Sequence, residues 1–239
     1  MSAKKVERVI AYPIVVAIIS LVFALQVGAQ YSRRRRPYQA LWTVSLAMSF
    51  VASVAYAVTL ATNNSPAWFR IYYLFGGLLM PAYMGTGSLY LAYSKRTGNV
   101  ALAVVAILSV LGAVLLAMAP IDAQALAALN GGPGTGVLKP GAWLPVLIVL
   151  NTYGLAAVVW VALASGWRAA RRTGSGAMAS GNLLLALGVI ILGAAGTAAR
   201  LGSGGYFWLT MALGWLVTYA GFRVIDRSYA RGRVAGQKT

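Results

Sequence analysis

Seven stretches of about 20 predominantly apolar residues, divided by short polar or Gly/Pro-rich breaks, constrain this chain more than any other feature. They run Val9 to Ala29, Tyr38 to Ala61, Trp68 to Tyr93, Val100 to Met118, Trp143 to Gly166, Met178 to Ala199 and Tyr206 to Ile225. Each is long enough for a helix to cross a bilayer, and a helix satisfies its own backbone hydrogen bonds where lipid offers none. With 60% hydrophobic and only 10% charged residues among 239, the chain has more apolar surface than one soluble core of this size buries. The expected fold is all-α, a polytopic seven-helix membrane bundle over residues 1–225 followed by a basic tail over 226–239.

The net charge of +17 would point to nucleic acid in a soluble protein, but the cations sit at helix ends. Arg33 to Arg36, Lys95, Arg96, Arg168, Arg171, Arg172, Arg223, Arg227, Arg231, Arg233 and Lys238 follow the first, third, fifth and seventh stretches. Lys4, Lys5, Arg8, Arg70, Lys139 and Arg200 fall on the other side. By the positive-inside rule, this asymmetry places the N-terminus outside and the tail in the cytoplasm of a bacterial-type inner membrane. The charges then serve topology and anionic lipid headgroups, and nucleic acid is not expected as a partner.

Lys4, Lys5 and Arg8 before an apolar run imitate a signal peptide. The run is longer than a signal core, however, and four arginines follow it directly, so the first helix is read as retained. Trp68, Trp143 and Trp208 open the helices that come in from outside, while Tyr31, Tyr38, Trp42, Tyr93 and Trp167 mark cytoplasmic ends, as interfacial aromatics do.

Laying the first three helices over the last three aligns Pro13 with Pro145, the Arg33 to Arg36 run with Arg168, Arg171 and Arg172, and Trp68 with Trp208. This makes a parallel three-one-three duplication, with the fourth helix as a peripheral linker whose one clearly polar side chain is Ser109. The sixth helix, with Gly188, Gly193, Ala194, Ala195, Gly196, Ala198 and Ala199, is expected at the bundle centre, because small residues let backbones approach closely in lipid. The third carries Gly76, Gly77, Gly85 and Gly87 around Pro81, which predicts a kink with freed backbone groups lining a cavity.

Chemistry is scarce. The acids are Glu7, Asp122 and Asp226, none well inside a helix, and His and Cys are absent. Ion-coupled transport commonly marks its path with intramembrane acids or histidines, so that class is disfavoured. Usual general bases and metal ligands are missing, so no enzyme, catalytic residue, metal or cofactor is expected. A Schiff-base lysine is likewise absent from the seventh helix. Gly131-Gly132-Pro133-Gly134-Thr135-Gly136 superficially imitates a phosphate loop, but no Lys-Ser/Thr pair follows, and it is read as a flexible linker.

The candidate site lies in the outer half of the bundle. Arg70 and Arg200 sit at the outer ends of the third and sixth helices, near Tyr72, Tyr73 and Trp68, with Asn151 and Tyr153 in the fifth helix and Tyr219 deeper in the seventh. Arginines at this depth reach lipid phosphates or a ligand. Asp122 is a possible ion-pair partner for either, and Asn151 suits a helix-to-helix hydrogen bond better than a ligand.

Trp68 to Tyr93, with Tyr72-Tyr73-Leu74 near its start, Pro81 at its middle and a Leu/Tyr exit, resembles the third helix of the seven-helix sensor modules that precede bacterial histidine kinases. That resemblance implies sensing through the membrane, with the signal passed here to a separate membrane or cytoplasmic protein. The three-one-three layout is similar to that of SWEET-type sugar transporters, although their Pro-Gln signature is absent. The expected function is a receptor-like or accessory membrane subunit without catalysis of its own. Alternatives are an uncoupled small-solute facilitator and a lipid- or pigment-binding subunit of a membrane complex.

Overall fold

The computed structural model describes residues 3–129, 131–173, 175–202 and 204–236, and those residues are organised almost wholly as helix. In chain order these are α1 (Ala3–Arg34), α2 (Pro37–Ala61), α3 (Pro66–Tyr72), a π-helical stretch (Tyr73–Leu79), α4 (Met80–Ala92), α5 (Lys95–Met118), the short α6 (Ala123–Ala127), α7 (Trp143–Thr173), α8 (Gly176–Arg200) and α9 (Phe207–Gly236). Helix α9 therefore continues through much of the segment read as a tail.

Six of the described helices, α1, α2, α5, α7, α8 and α9, are long and apolar enough to cross a membrane. The expected third span differs from them. Residues 66–92 follow one helical path, but the path is α-helical only at its two ends, and the π-helical stretch interrupts it. The reason is local. Pro81 has no N–H, so an α-helix would leave the Gly77 carbonyl, four residues earlier, without its donor. The wider register runs up to that point, with the Met80 amide at its end reaching Phe75.

Helix packing closes a ring in the order α1, α2, 66–92, α7, α8, α9 and back to α1. Helix α5 stands outside it, against 66–92 and α7. Its outer ridge is apolar and open, with Ile107 69% and Val110 67% exposed. Helix α8 is not central, contrary to what its small residues suggest. It packs between α7 and α9, and Leu183, Leu187 and Ile190 face outward. Of its glycines, Gly181 and Gly188 serve the α9 contact. A Cβ on Gly181 would stand 3.0 Å from the Gly221 carbonyl oxygen, and one on Gly188 would stand 2.8 Å from that of Gly214. The two antiparallel backbones thus meet at glycine pairs, the close approach that favours association in lipid.

The tightest crossing joins 66–92 to α7. A Cβ on Gly154 would lie 2.2 Å from the Pro81 oxygen, and one on Gly85 would lie 2.8 Å from the Gly154 Cα. Polar side chains tie the remaining helices. Ser20 and Ser49 share a hydrogen bond of 2.9 Å between α1 and α2, and Ser45 donates to the Met80 carbonyl at 2.8 Å.

Candidate functional site

One end of the ring carries the segment 119–142, here called the loop end; the opposite end carries Arg33 to Arg36 and Arg171. Inside the loop end the helices enclose a cavity of about 310 Å³. Its walls come from α2 (Ser49, Ala52, Ser53), the irregular stretch of 66–92, α7, α8 and the start of α9, and α1 and α5 do not reach it.

Space for the cavity exists because the backbone that borders it is lean. Gly76, Gly77, Gly154, Gly193 and Gly196 all line it. Asn151 fixes the wall at its weakest point. Its Nδ2 donates to the Gly77 carbonyl at 2.6 Å, the acceptor that Pro81 cannot serve, and to Leu147 at 2.8 Å. Deeper in, Met80, Met84, Val158 and Val189 form an apolar floor. At the same depth, the Gly85–Gly154 crossing seals the wall between 66–92 and α7.

The roof is folded rather than flexible. Residues around Ile121 and Leu138 pair in an isolated antiparallel bridge, and Leu126, Leu129, Val137 and Leu138 are buried. Gly134 takes φ +69 and lies against the Phe69 ring, where a Cβ would come within 2.6 Å, so both its conformation and its surroundings require glycine. Tyr56 donates to the Gly132 carbonyl, and Tyr72 donates to the Pro133 carbonyl at 3.2 Å. The Gly-rich segment read as a flexible linker is thus a docked cover, with Pro133 and Thr135 facing the cavity.

Asp122 does not pair with either arginine. It caps α6, accepting from the Gln124 and Ala125 amides at 3.0 and 2.9 Å. The hydrogen bond from Ala125, with that from Gln124 and the Lys139 charge, holds its carboxyl below the ordinary value, against a smaller opposing effect of desolvation.

Beneath the cover lies an aromatic cluster. Tyr56 packs on Tyr72 and Trp208 with ring centroids 4.9 and 4.7 Å apart, and Tyr73 meets Trp143 edge-on at 5.6 Å. Trp143 and Trp208 open their helices as expected but point inward, 3% and 4% exposed. The Trp143 indole nitrogen donates to Lys139 at 3.0 Å. That of Trp208 stands near the Tyr56 hydroxyl without a properly formed hydrogen bond.

The candidate residues divide into groups. Tyr72, Tyr73, Asn151 and Arg200 line the cavity together. Arg70 does not: its guanidinium donates to the Leu116 and Ala117 carbonyls at 2.9 and 3.0 Å at the end of α5, sharing the first with the Ala119 amide. Tyr153 sits lower and shares a 3.0 Å hydrogen bond with Thr86. Tyr219 belongs to the opposite half. It accepts from Gln26 at 2.6 Å and Arg223 at 3.0 Å, beside a Gln30 to Asp226 bond of 3.0 Å. Residue type alone did not single out Trp208, Met80, Met84 or Gly154 as members of the site. The spacing of Gly76, Gly77 and Pro81 was the available signal for where the wall breaks.

Among the described residues, the cavity offers an apolar interior, an aromatic roof and one charged lining residue, Arg200, at its rim, with no carboxylate in the lining. Such a lining suits a largely apolar ligand. Comparison of the chain with protein-family models, curated proteins and solved structures returns no match.

Proposed function

We propose that this chain is a seven-span integral membrane protein of receptor-like or accessory type, which binds a small ligand in the outer half of its bundle and carries out no catalysis. The observation that carries this reading is the 310 Å³ cavity set against the π-helical stretch. π-Helical turns are rare and frequently accompany functional sites, and an apolar pocket with a few convergent polar groups is the default binding-site hypothesis.

The seventh span is the path 66–92. At about 1.5 Å per residue it reaches about 40 Å, enough for a bilayer core, and its flaw is buried inside the ring where neighbouring side chains serve the freed backbone. The N-terminus lies outside, and the arginine end, on the cytoplasmic side, contacts anionic headgroups. The three-one-three duplication is supported by how the ring is joined. The first helix of each half meets the third helix of the other, α1 with α9 and α7 with 66–92, while α5 stays outside.

A receptor of this kind holds its ligand without passing it on. The cavity's lining stops at Met84, Val158 and Val189 and does not continue toward the arginine end, which favours that over a facilitator. Purified protein in liposomes should give no flux of sugars, amino acids or carboxylates above protein-free liposomes, and should co-purify with a partner protein from mild detergent. Carrier-like flux with no partner would replace this reading by that of an uncoupled facilitator.

A further inference from the structure

The cavity is not sealed by the ring. Several of its lining residues also lie on the outer surface, all between α7 and α8: Ile148 is 46% exposed, and Thr152 and Thr197 are exposed as well. Gly196 completes this gap, and a Cβ placed on it would meet nothing within 4 Å. The flanks, with Val149 54% and Leu187 47% exposed, are apolar. In a bilayer this gap opens sideways into lipid rather than into water.

The charged group at the cavity and the buried polar atom in its wall that lacks a formed hydrogen bond are both donors. Arg200 ends α8 at the rim beside the Tyr73 hydroxyl, and among the described residues no carboxylate lines the cavity with it. Trp208 lines the cavity, and its buried indole N–H stands near the Tyr56 hydroxyl without a properly formed hydrogen bond. The Tyr72 hydroxyl is already committed to Pro133. One cation with no carboxylate nearby calls for one negative charge, and a guanidinium matches a carboxylate in shape. Volume limits the rest: at about 30 Å³ for each water-sized group, the cavity holds roughly ten non-hydrogen atoms. That space takes one acyl chain with a small head, and a second chain would have to stay outside in the bilayer.

We propose that the cavity binds a single-chain amphiphilic carboxylate that arrives from the lipid through the gap between α7 and α8. Its head rests on Arg200 at interface depth, and its apolar body lies over Met80, Met84 and Val158. The assignment rests on the binding function proposed above and names its ligand class.

The test is equilibrium binding of radiolabelled decanoate, decanol and decyltrimethylammonium to the full chain in phosphatidylcholine nanodiscs. Gly196→Leu, which fills the gap from open space, reports non-specific partition. Wild type should bind decanoate saturably, and G196L should lose that binding. Arg200→Gln should weaken decanoate roughly tenfold, the scale of one charge-assisted hydrogen-bonded pair, while changing decanol less than threefold. Arg200→Lys should stay near wild type, and Arg200→Glu should reverse the preference toward decyltrimethylammonium. Equal decanoate affinity in wild type, R200Q and R200E, or a wild-type preference for the ammonium probe, would overturn the carboxylate assignment and leave the cavity as a binding site. If none of the three probes distinguishes wild type from G196L, both the assignment and the binding function fall.

Discussion

Asn151 on α7 donates from Nδ2 to the carbonyl of Gly77 at 2.6 Å, so one helix supplies the hydrogen bond that Pro81 withholds within another. The break in 66–92 and the residue that heals it thereby become one structural unit, which is also a wall of the cavity. Removing the amide should expose the weakness. Asn151→Leu keeps the volume but orphans the carbonyl, and interhelical hydrogen bonds in membranes are worth about 0.6 kcal/mol on average and up to about 1.7. A loss of about 1 to 2 kcal/mol in reversible unfolding is expected, with faster amide exchange confined to residues 75–82.

Gly154 tests the tightest crossing. A methyl group there would stand 2.2 Å from the Pro81 oxygen, and the obstacle is backbone rather than a flexible side-chain tip. Gly154→Ala should therefore destabilise by about 2 kcal/mol or more, within the range typical of overpacking, whereas Gly196→Ala, in open space, should be near neutral. Thermal melting of both variants in one detergent checks the contrast.

The cover over the cavity depends on Gly134 and on the Tyr56 and Tyr72 hydroxyls. Gly134→Val should release it, because a branched side chain tolerates neither the positive φ nor the Phe69 ring. Limited proteolysis should then cut between residues 119 and 142 at least tenfold faster than in wild type, while the helices remain intact.

Asp122 gives this cover a pH dependence of known sign. Its carboxyl lies below the ordinary value of 3.8 in the folded protein, so its contribution is complete above that value. It is lost as pH falls through the lower, folded-state value. Exchange at the Gln124 and Ala125 amides, after correction for intrinsic rates, should lose protection on acidification below about 3.8, and Asp122→Ala should abolish that dependence.

Hydropathy made the long helices legible, and Gly76, Gly77 and Pro81 marked where one of them breaks. Hydropathy reports depth along a helix, however, and not direction around its axis. For that reason Trp143 and Trp208, read as interfacial residues, turn out to be buried inward, and Gly181 and Gly188 of α8 proved to face α9 rather than a bundle centre. The same limit separates the candidate residues. Arg70 and Arg200 both terminate helices at the loop end, yet one caps α5 and the other borders the cavity. Tyr219 entered the candidate set by residue type, and only the fold placed it with Gln26 and Arg223 in the opposite half. The Gly-rich segment had the composition of a linker, and only contacts with Phe69, Tyr56 and Tyr72, distant in sequence, show it to be ordered.

The central claim is that the cavity beside the π-helical stretch is a ligand site. Native mass spectrometry of the chain released from its own membranes, run beside the Gly196→Leu variant, tests it most directly. Wild type should carry one small adduct with the mass of a single-chain carboxylic acid, and the variant should lose it while keeping its bound phospholipids. Identical adduct patterns for the two proteins would contradict the account.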